Sequence, residues 1–510
     1  MKAFLMFKDQ DCDLKNMPWN ENALIQDLEL NTLFNAMSRD DGFIFEVVKK
    51  AVLQSLTHLA TINYRQDVLK DCLKNPSIVR DIYVLSGEAI GSRQKAWWAT
   101  LSSSSSSILS SSVGLMQRFV DKLKKLREIA DEHGHKFDSE GFTAFFAMLR
   151  NELTDEHLAS IQNHIKELKF RDGVLISAEL GEGNEGTNYV LRTPRRKSRS
   201  WIKRILALKN LAHGFRVDSH DGIGRKSLEE LRNRGINTVA NAVAQSADNI
   251  EDFFIKLRIE TAFYTGCLNL YEQLAQIGEP IAFPRPMAIN EHRHSFDRLY
   301  DVCLALTVKQ MIVGNDVRAD NKDLVIITGA NQGGKTTFLR SIGLAQLMMQ
   351  CGMFVPAKSF CANVSNGLST HFKREEDVTM VSGKLDEELG RMSQIVDHVI
   401  PNSMVLFNES FAATNEREGS EIARQIIDAL LEKQIKVFFV TFLYEFAHGC
   451  YNRKMGNALF LLAERQIDGG RTFKMVEGEP LQTGYGEDLY NLIFGTEVLK
   501  ISKGDVMKKV

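Results

Sequence analysis

The 510-residue sequence lacks the features that would mark a membrane, secreted or zinc-binding protein. No apolar stretch is long enough to cross a bilayer, and charges enter the N-terminal segment too early for a signal peptide. The seven cysteines are scattered without a C-x-x-C pair, which argues against a zinc site or a disulfide scaffold. The net charge of −2 gives no general nucleic-acid signal. A cytoplasmic protein of several domains, without a membrane segment, is therefore expected.

The N-terminal part of the chain predicts helices. Over residues 20–170, apolar residues recur at steps of three and four with few helix breakers. A serine-rich segment at 102–112 interrupts this pattern. Because serine competes for backbone hydrogen bonds, we favour a flexible connector there over a serine-rich helix face. Residues 168–192 resemble two strands around a turn whose G-x-G-x-x-G spacing at 181–186 precedes a strand, so we predict a hairpin and not a dinucleotide site.

A basic run at 192–204 contains no acidic residue. Cations on an otherwise near-neutral chain can replace the counterions of a nucleic-acid backbone. The candidate DNA-binding residues are Arg195, Arg196, Lys197 and Arg199. A solvated basic surface is the alternative.

Beyond this run the pattern changes twice. Helical periodicity resumes over 226–277, and a proline-containing linker is predicted at 281–294. From 295 to 510, strands and helices alternate, which is typical of an α/β nucleotide-binding domain. The predicted organisation is an α-helical region over 1–280, with a small β insertion at about 168–204, followed by the linker and the α/β domain.

The strongest motif, Gly329 to Thr336, fits G-x-x-x-x-G-K-[ST] between a buried strand and a helix. Its glycines allow backbone N–H groups to surround phosphates at the helix N-terminus, while Lys335 reaches the β- and γ-phosphates and Thr336 offers a hydroxyl to Mg²⁺. The motif thus predicts ATP and Mg²⁺ as ligands. The candidate ATP-binding residues are Gly329, Ala330, Asn331, Gln332, Gly333, Gly334, Lys335, Thr336 and Thr337.

A second apolar strand, 404–407, runs into Asn408 and Glu409. In P-loop enzymes this strand usually ends in an Asp that helps to hold Mg²⁺, and a neighbouring residue positions the attacking water. Asn408 offers a carbonyl oxygen without a charge, so Thr336 and Asn408 are predicted to bind Mg²⁺ more weakly. Glu409 is the predicted catalytic residue.

The segment 328–357 resembles the ATPase domain of the MutS family of DNA mismatch-recognition proteins. That family carries T-G-x-N-x-x-G-K-S-T, then a helix and a (Y/F)-V-P-A segment; Asn331 and the residues at 354–357 fall at the matching offsets. Downstream, Ser382 and Gly383 match the start of the family's ABC-type signature helix. Glu388 matches the acidic residue of that helix. Glu409, Thr414 and Gly419 keep the spacing of the family's segment after the second strand.

The resemblance implies a P-loop ABC-type ATPase domain that follows helical core and lever regions with a small β clamp. In such ATPases two subunits enclose two ATP molecules, so a homodimer is implied in which Ser382 completes the partner's site. The implied function is that of a DNA-binding ATPase whose clamp opens and closes with nucleotide occupancy, in mismatch repair or a related repair or recombination process.

The sequence departs from the family pattern in two ways. The mismatch-reading N-terminal domain has no counterpart, since the chain begins almost at the core helices, so mismatch recognition is not implied. The strand that normally ends in Thr-His has Phe442 after Thr441. A nucleotide-gated protein that binds DNA or RNA structures with little or no hydrolysis therefore stays open. So does an ATPase acting on branched DNA, recombination intermediates or structured RNA. A small-molecule P-loop kinase is disfavoured by the signature segment and the long helical half.

Overall fold

A computed structural model describes residues 1–14, 17–97, 104–171, 173–192, 216–218, 220–374, 383–466 and 469–482. These residues fall into two compact units. The first contains residues 1–3, 77–138 and 142–261, and the second contains 4–76, 139–141 and the described chain from 262 onward. The domain boundaries derived from sequence stay a prediction.

The N-terminal part is helical, as predicted. Its elements are α1 (Glu21–Asp27), α2 (Leu30–Ser38), α3 (Gly42–Leu53), α4 (Leu59–Lys74), α5 (Pro76–Trp97), α6 (Ser105–His133), α7 (Glu140–Glu152), α8 (Asp155–Leu168), β1 (Leu175–Leu180), β2 (Gly186–Arg192) and α9 (Gly222–Ile277). None of the helices in the described part of the chain is long and apolar enough to cross a membrane.

The prediction of a flexible connector is wrong for the serines from 105 onward, which begin helix α6. Ser104 caps this helix, because its side chain accepts a hydrogen bond from the Ser107 N–H. The Ser106 hydroxyl donates to Asn233 Oδ1 at 2.7 Å. Tertiary partners therefore satisfy the hydroxyls that would otherwise compete with the helix, which sequence alone did not reveal.

The predicted hairpin is confirmed. Strands β1 and β2 pair in antiparallel register from Leu175 opposite Arg192 to Leu180 opposite Gly186. The turn between them contains Gly183 at φ +70°, a conformation that glycine adopts without steric cost. The G-x-G-x-x-G spacing is therefore part of a hairpin.

The C-terminal part alternates strands and helices, as predicted. Its elements are β3 (Arg285–Met287), β4 (His294–Leu299), α10 (Val302–Val308), β5 (Asn315–Arg318), β6 (Leu324–Gly329), α11 (Lys335–Gln350), β7 (Ser359–Asn363), β8 (Leu368–Phe372), α12 (Lys384–His398), β9 (Met404–Asn408), α13 (Glu416–Glu432), β10 (Lys436–Val440), α14 (Tyr444–Asn452), β11 (Ala458–Arg465) and β12 (Arg471–Glu477).

Six of these strands form the main sheet, in the order β12-β11-β6-β10-β9-β8. All neighbours are parallel except the pair β11 and β12. Val440 of β10 lies opposite both Asn408 of β9 and Ile327 of β6. The carboxyl ends of three neighbouring strands therefore meet at one edge of the sheet, which is where α/β folds build ligand sites.

The central strands of this sheet, β6, β9 and β10, are buried on both faces. Leu406 approaches Gly343 of α11, whereas Phe407 belongs to an apolar cluster with Ile427 of α13. The Phe407 ring stacks on Phe439 of β10, with centroids 4.9 Å apart. Burial on both faces explains why the sequence shows continuous apolar runs rather than alternation.

A smaller sheet has the order β3-β7-β4-β5. Its edge strand β3 lies inside the segment predicted as a linker, so residues 285–287 form a strand there instead. Pro286 reads as a linker signal, but an edge strand tolerates a residue without an N–H because one side of the strand needs no donor.

Candidate ATP-binding site at the end of the main sheet

The loop between β6 and α11 is shaped by glycine. Gly329 has φ +107° and Gly334, the residue that precedes α11, has φ +84°. A Cβ at Gly329 would lie 2.9 Å from the Ala463 nitrogen on β11, and one at Gly333 would lie 2.7 Å from the Ala463 Cβ. Glycine is required here both by backbone conformation and by the close approach of the neighbouring strand.

Lys335, the first residue of α11, is only 5% exposed. Its Nζ donates hydrogen bonds to the carbonyl oxygens of Gly329, at 3.0 Å, and Ala330, at 2.9 Å. Burial lowers the pKa of Lys335 to about 8, although the nearby Glu409 carboxylate opposes this shift. The ammonium group thus lies inside the loop, in surroundings where a phosphate would supply the charge that the buried cation lacks.

Strand β9 brings further polar residues to this site. The Thr336 hydroxyl donates to Asn408 Oδ1 at 3.0 Å, so the two predicted metal ligands lie side by side. Glu409 follows at φ +53°, and its N–H donates to the Val440 carbonyl oxygen at 2.9 Å. The parallel register of β6, β10 and β9 brings these residues together although 72 positions separate Thr336 from Asn408.

A cavity of about 550 Å³ opens beside these groups. Residues 331–337 and Glu409 line one part of it. The other part is mainly apolar, with Leu299, Leu304, Met311, Ile312 and Val313 beside the polar Asp301 and Asn315. This division into a polar loop and an apolar slot suits a ligand that carries phosphates at one end and a flat ring at the other.

Tyr300 lines the apolar part of the cavity and was not identified from sequence. It is 1% exposed, and its hydroxyl has no hydrogen-bond partner among the described residues. Burial raises the pKa of this hydroxyl, so it stays protonated at neutral pH. An unpaired buried hydroxyl is costly, and a bound molecule with a polar ring atom would relieve that cost.

Three further residues were missed because they come from distant segments. Phe473 of β12 lines the cavity and packs 3.4 Å from the position of a Cβ on Gly334. Asn315 holds that part of β12, since its Nδ2 donates to the Phe473 carbonyl oxygen and its Oδ1 accepts from the Met475 N–H. The Arg471 Nε donates to the Asn331 carbonyl oxygen at 3.2 Å. No local motif could have identified this wall.

Phe442 stands where the family pattern has histidine. Its ring lines the cavity and is centred 4.2 Å from Lys335 Nζ. A phenyl ring attracts the ammonium group but offers no hydrogen bond to a phosphate. The next histidine, His448, pairs with Glu479 at 3.3 Å and stacks on Tyr444, so its ring is engaged elsewhere.

Several predicted residues lie outside the described part of the chain. These are Ser382 and the four candidate DNA contacts, Arg195, Arg196, Lys197 and Arg199. Gly383 is described and immediately precedes α12 with extended backbone angles. Of the predicted signature residues Ser382 and Gly383, the described part of the chain therefore contains only Gly383.

The residues present fit Mg²⁺ and a nucleotide. A threonine hydroxyl and an amide oxygen are hard oxygen ligands of the kind that Mg²⁺ prefers, and the pair is neutral, so the metal would rely on ligand phosphates and water for charge. The N-terminus of α11 adds the positive end of a helix dipole.

Two family models match the chain. Residues 57–277 match the MutS2 N-terminal domain, and residues 325–495 match MutS domain V. Among relatives, a DNA mismatch repair protein MutS of Thermotoga sp. (strain RQ2) is 31% identical over 195 residues, which cover 38% of this chain and 23% of the relative.

Two further relatives carry the same name. The protein of Streptococcus thermophilus (strain ATCC BAA-491 / LMD-9) is 27% identical over 255 residues, covering 46% of this chain and 29% of the relative. That of Leptospira interrogans (strain Fiocruz L1-130) is 26% identical over 222 residues, covering 43% of this chain and 26% of the relative. The chain thus spans less than a third of the length of these relatives. With matching models on both the helical and the α/β parts, the chain belongs to the MutS family.

Proposed function

We propose that this chain is an ATP-binding and ATP-hydrolysing protein whose nucleotide state controls its hold on DNA. The observation that carries the proposal is the grouping of Lys335, the Thr336–Asn408 pair and Glu409 at one edge of the sheet, beside a cavity with an apolar slot. Each group has a distinct task in phosphoryl transfer from ATP to water.

The backbone N–H groups of 331–336 and Lys335 would bind the phosphates. Thr336 and Asn408 would hold Mg²⁺, which neutralises phosphate charge when bound. The Glu409 carboxylate would orient the attacking water or accept a proton from it. The apolar slot, with the Tyr300 hydroxyl at its wall, would take the base of the nucleotide.

Two features favour slow turnover. Asn408 brings no charge to the metal site, and Phe442 cannot donate a hydrogen bond to the γ-phosphate as a histidine can. The second candidate function follows from the same features: a nucleotide-gated protein that binds DNA or RNA structures and hydrolyses ATP little or not at all.

The family relationship supports an ABC-type arrangement of two subunits. In this proposal Ser382 and Gly383 of one subunit approach the γ-phosphate held by the other, so that ATP favours a closed homodimer. The chain would then consist of a helical core and lever over 1–280, with a clamp-like insertion at about 168–204, a linker within 281–294 and the ATPase domain over 295–510.

DNA would be held through its backbone. Arg195, Arg196, Lys197 and Arg199 would contact phosphates without reading bases. The relatives are named for mismatch repair, whereas the helical part matches the MutS2 model, so mismatched, branched and recombining DNA are all candidate ligands.

The enzyme proposal is tested by steady-state ATP hydrolysis with wild type and Glu409→Gln. We expect Glu409→Gln to turn over about 100-fold more slowly, since a positioned general base contributes that much, while its affinity for ATP changes little. Glu432→Gln, at an exposed site at the end of α13, is the matched control. Equal rates for wild type and Glu409→Gln, with ATP bound by both, would favour the non-hydrolysing candidate.

The DNA proposal is tested by binding to homoduplex, mismatched and branched DNA and to structured RNA across a salt series. Replacing Arg195, Arg196 and Lys197 with Gln should lower the slope of log K against log [salt] by about one for each phosphate that is no longer neutralised. An unchanged slope would indicate that the basic run at 192–204 is a solvated surface that does not contact DNA. Tight preference for a single mismatch would identify mismatched DNA as the ligand.

A further inference from the structure

The backbone turn that carries Glu409 is unusual because two of its residues are left-handed without being glycine. Glu409 has φ +53° and Phe411 has φ +63°, and Ser410 lies between them. Such a conformation costs about 1 kcal/mol or more for each non-glycine residue, so surrounding contacts must impose it.

The first of these contacts is a buried pair of polar side chains. Ser410 and His371 of β8 are 1% and 0% exposed. The Ser410 Oγ lies 2.7 Å from His371 Nδ1 and 2.6 Å from the His371 carbonyl oxygen. The single hydroxyl proton can go to either acceptor, so Ser410 is attached to β8 in both cases.

The second contact comes from helix α12. The Nε2 of His371 lies 2.9 Å from the Glu388 carbonyl oxygen, which can only accept, so the ring proton is on Nε2. The Glu388 carboxylate is also buried, and its Oε2 accepts a hydrogen bond from the Phe411 N–H at 3.0 Å. Glu388 thus contacts the turn twice, once directly and once through His371.

Charges around this group keep the histidine neutral. Burial and the guanidinium groups of Arg391 and Arg374 lower the pKa of His371 to about 4. Burial raises the pKa of Glu388, although the Phe411 N–H and Arg391 oppose that shift. The neutral ring donates from Nε2 to the Glu388 carbonyl oxygen and leaves Nδ1 free to accept from the Ser410 hydroxyl.

We propose that Glu388, His371 and Ser410 are positioning residues that hold the turn of Glu409 and attach it to helix α12. This inference rests on the proposed function, since it assigns the three residues to orientation of the carboxylate that acts on water. None of them lines the cavity, so they act through the backbone of 409–411. Movement of α12 would change where the Glu409 carboxylate lies.

A purely structural role would be served more simply by apolar side chains. Burying three polar groups costs free energy unless all are paired, and Glu388 Oε1 has no partner among the described residues. The arrangement specifies one backbone conformation, whereas apolar packing would tolerate several.

The first test measures hydrogen exchange of the peptide that covers 409–412 in wild type and His371→Phe. Phenylalanine keeps the stacking on Phe411, whose ring centroid is 5.3 Å from that of His371. It removes the two hydrogen bonds of the imidazole ring, to Ser410 and to the Glu388 carbonyl oxygen. We expect exchange in this peptide to accelerate about tenfold or more, with P-loop peptides unchanged. Unchanged exchange at 409–412 would overturn the proposal.

His294→Phe is the matched control. His294 is also buried, packs against Phe296, Phe360 and Phe438, and its Nε2 has no partner in the described chain. Its replacement removes a buried imidazole on the smaller sheet and should leave exchange at 409–412 unaltered. If His371→Phe fails to fold, Ser410→Ala and Glu388→Gln test the same contacts with smaller changes.

The second test is non-additivity of turnover. His371→Phe should lower the ATP hydrolysis rate about 10- to 100-fold, as expected for a misplaced catalytic group, with ATP affinity within about threefold of wild type. In a Glu409→Gln background the same substitution should have no further effect, because it acts through Glu409. A multiplicative loss in the double variant would overturn the proposal.

The two tests separate failure of this inference from failure of the proposed function. If wild type shows no hydrolysis above Glu409→Gln, the enzyme proposal fails, and the exchange experiment still decides whether the three residues hold the turn. If hydrolysis is clear but neither exchange nor turnover responds to His371→Phe, only the positioning role fails.

Discussion

The glycine loop at 329–334 and the turn at 409–411 occupy equivalent places, each following a buried parallel strand, yet they are held in different ways. The glycine loop takes its shape from Gly329, Gly333 and Gly334, which remove steric conflict. The turn contains no glycine and depends on hydrogen bonds from β8 and α12. The first loop is defined by its own sequence, and the second by residues distant in sequence.

This difference determines what each loop transmits. A loop shaped by its own glycines keeps its geometry when neighbouring elements move. If α12 holds the turn as proposed, a binding event near the start of that helix would reach Glu409 and leave the glycine loop unchanged. The sharpest experiments therefore affect one loop and leave the other intact.

The largest effect is expected for Lys335→Ala, which removes the buried cation next to the glycine loop. Loss of charge-assisted hydrogen bonds to phosphate should weaken ATP binding about 100-fold or more, measured by titration with a fluorescent ATP analogue. Lys322→Ala, at the opposite end of β6, is the control, since the Lys322 Nζ donates to the Gly456 carbonyl oxygen, away from the cavity. If Lys335→Ala binds ATP as tightly as wild type, this loop does not bind the phosphates of ATP.

Asn408→Asp tests the strand that precedes the turn. A carboxylate beside Thr336 should strengthen Mg²⁺ binding about tenfold and accelerate hydrolysis, because Mg²⁺ prefers charged oxygen ligands. The Mg²⁺ dependence of the hydrolysis rate provides the measurement, with Asn366→Asp as a control at the other end of the sheet. If Asn408→Asp needs less Mg²⁺ for its maximal rate but that rate does not rise, then Phe442, rather than Asn408, limits hydrolysis.

The pH dependence of ATP affinity tests the role of the Lys335 charge. Lys335 has a pKa of about 8 in the free protein, so it is charged below that pH and neutral above it. Phosphates favour the charged form, so affinity should fall as pH rises through 8, by about three- to tenfold between about pH 7.5 and 9.5. Lys335→Arg should flatten this profile, because arginine stays charged; a flat wild-type profile would contradict the assignment.

The smallest effect is expected for Phe442→Leu, at the point where the two loops approach each other. The ring stabilises Lys335 before ligand arrives, so its removal should raise ATP affinity about two- to fivefold, equivalent to about 0.5–1 kcal/mol of cation–π attraction. Isothermal titration calorimetry resolves this change. Weaker ATP binding would mean instead that the ring contacts the nucleotide.

The sequence was sufficient to anticipate the residues that local patterns define. The motif from Gly329 to Thr336 and the polar pair after β9 could be assigned to one edge because parallel strands align their carboxyl ends. Their placement in the structure agrees with that expectation, and their roles stay proposals. Tyr300, Asn315 and Phe473 could not be anticipated, since each reaches the cavity through tertiary packing rather than through a motif.

The errors have the same origin. The serines after 104 looked unfavourable for a helix, but Asn237 and Asn233 accept hydrogen bonds from the hydroxyls of Ser105 and Ser106 in its first turn. Residues 285–287 looked like a linker because of Pro286, yet an edge strand accepts that proline. In both cases a local propensity was overridden by a partner distant in sequence.

The contact between Gly329, Gly333 and Ala463 has an evolutionary consequence. The approach of β11 alone requires these glycines, so a homologue that bound no nucleotide would still be selected to keep them. Lys335 has no such steric constraint, and burying its ammonium group costs free energy that Glu409 and two carbonyl oxygens offset only in part. Among homologues, persistence of lysine at this position should therefore mark retained nucleotide binding, whereas persistence of the glycines should mark only an intact sheet.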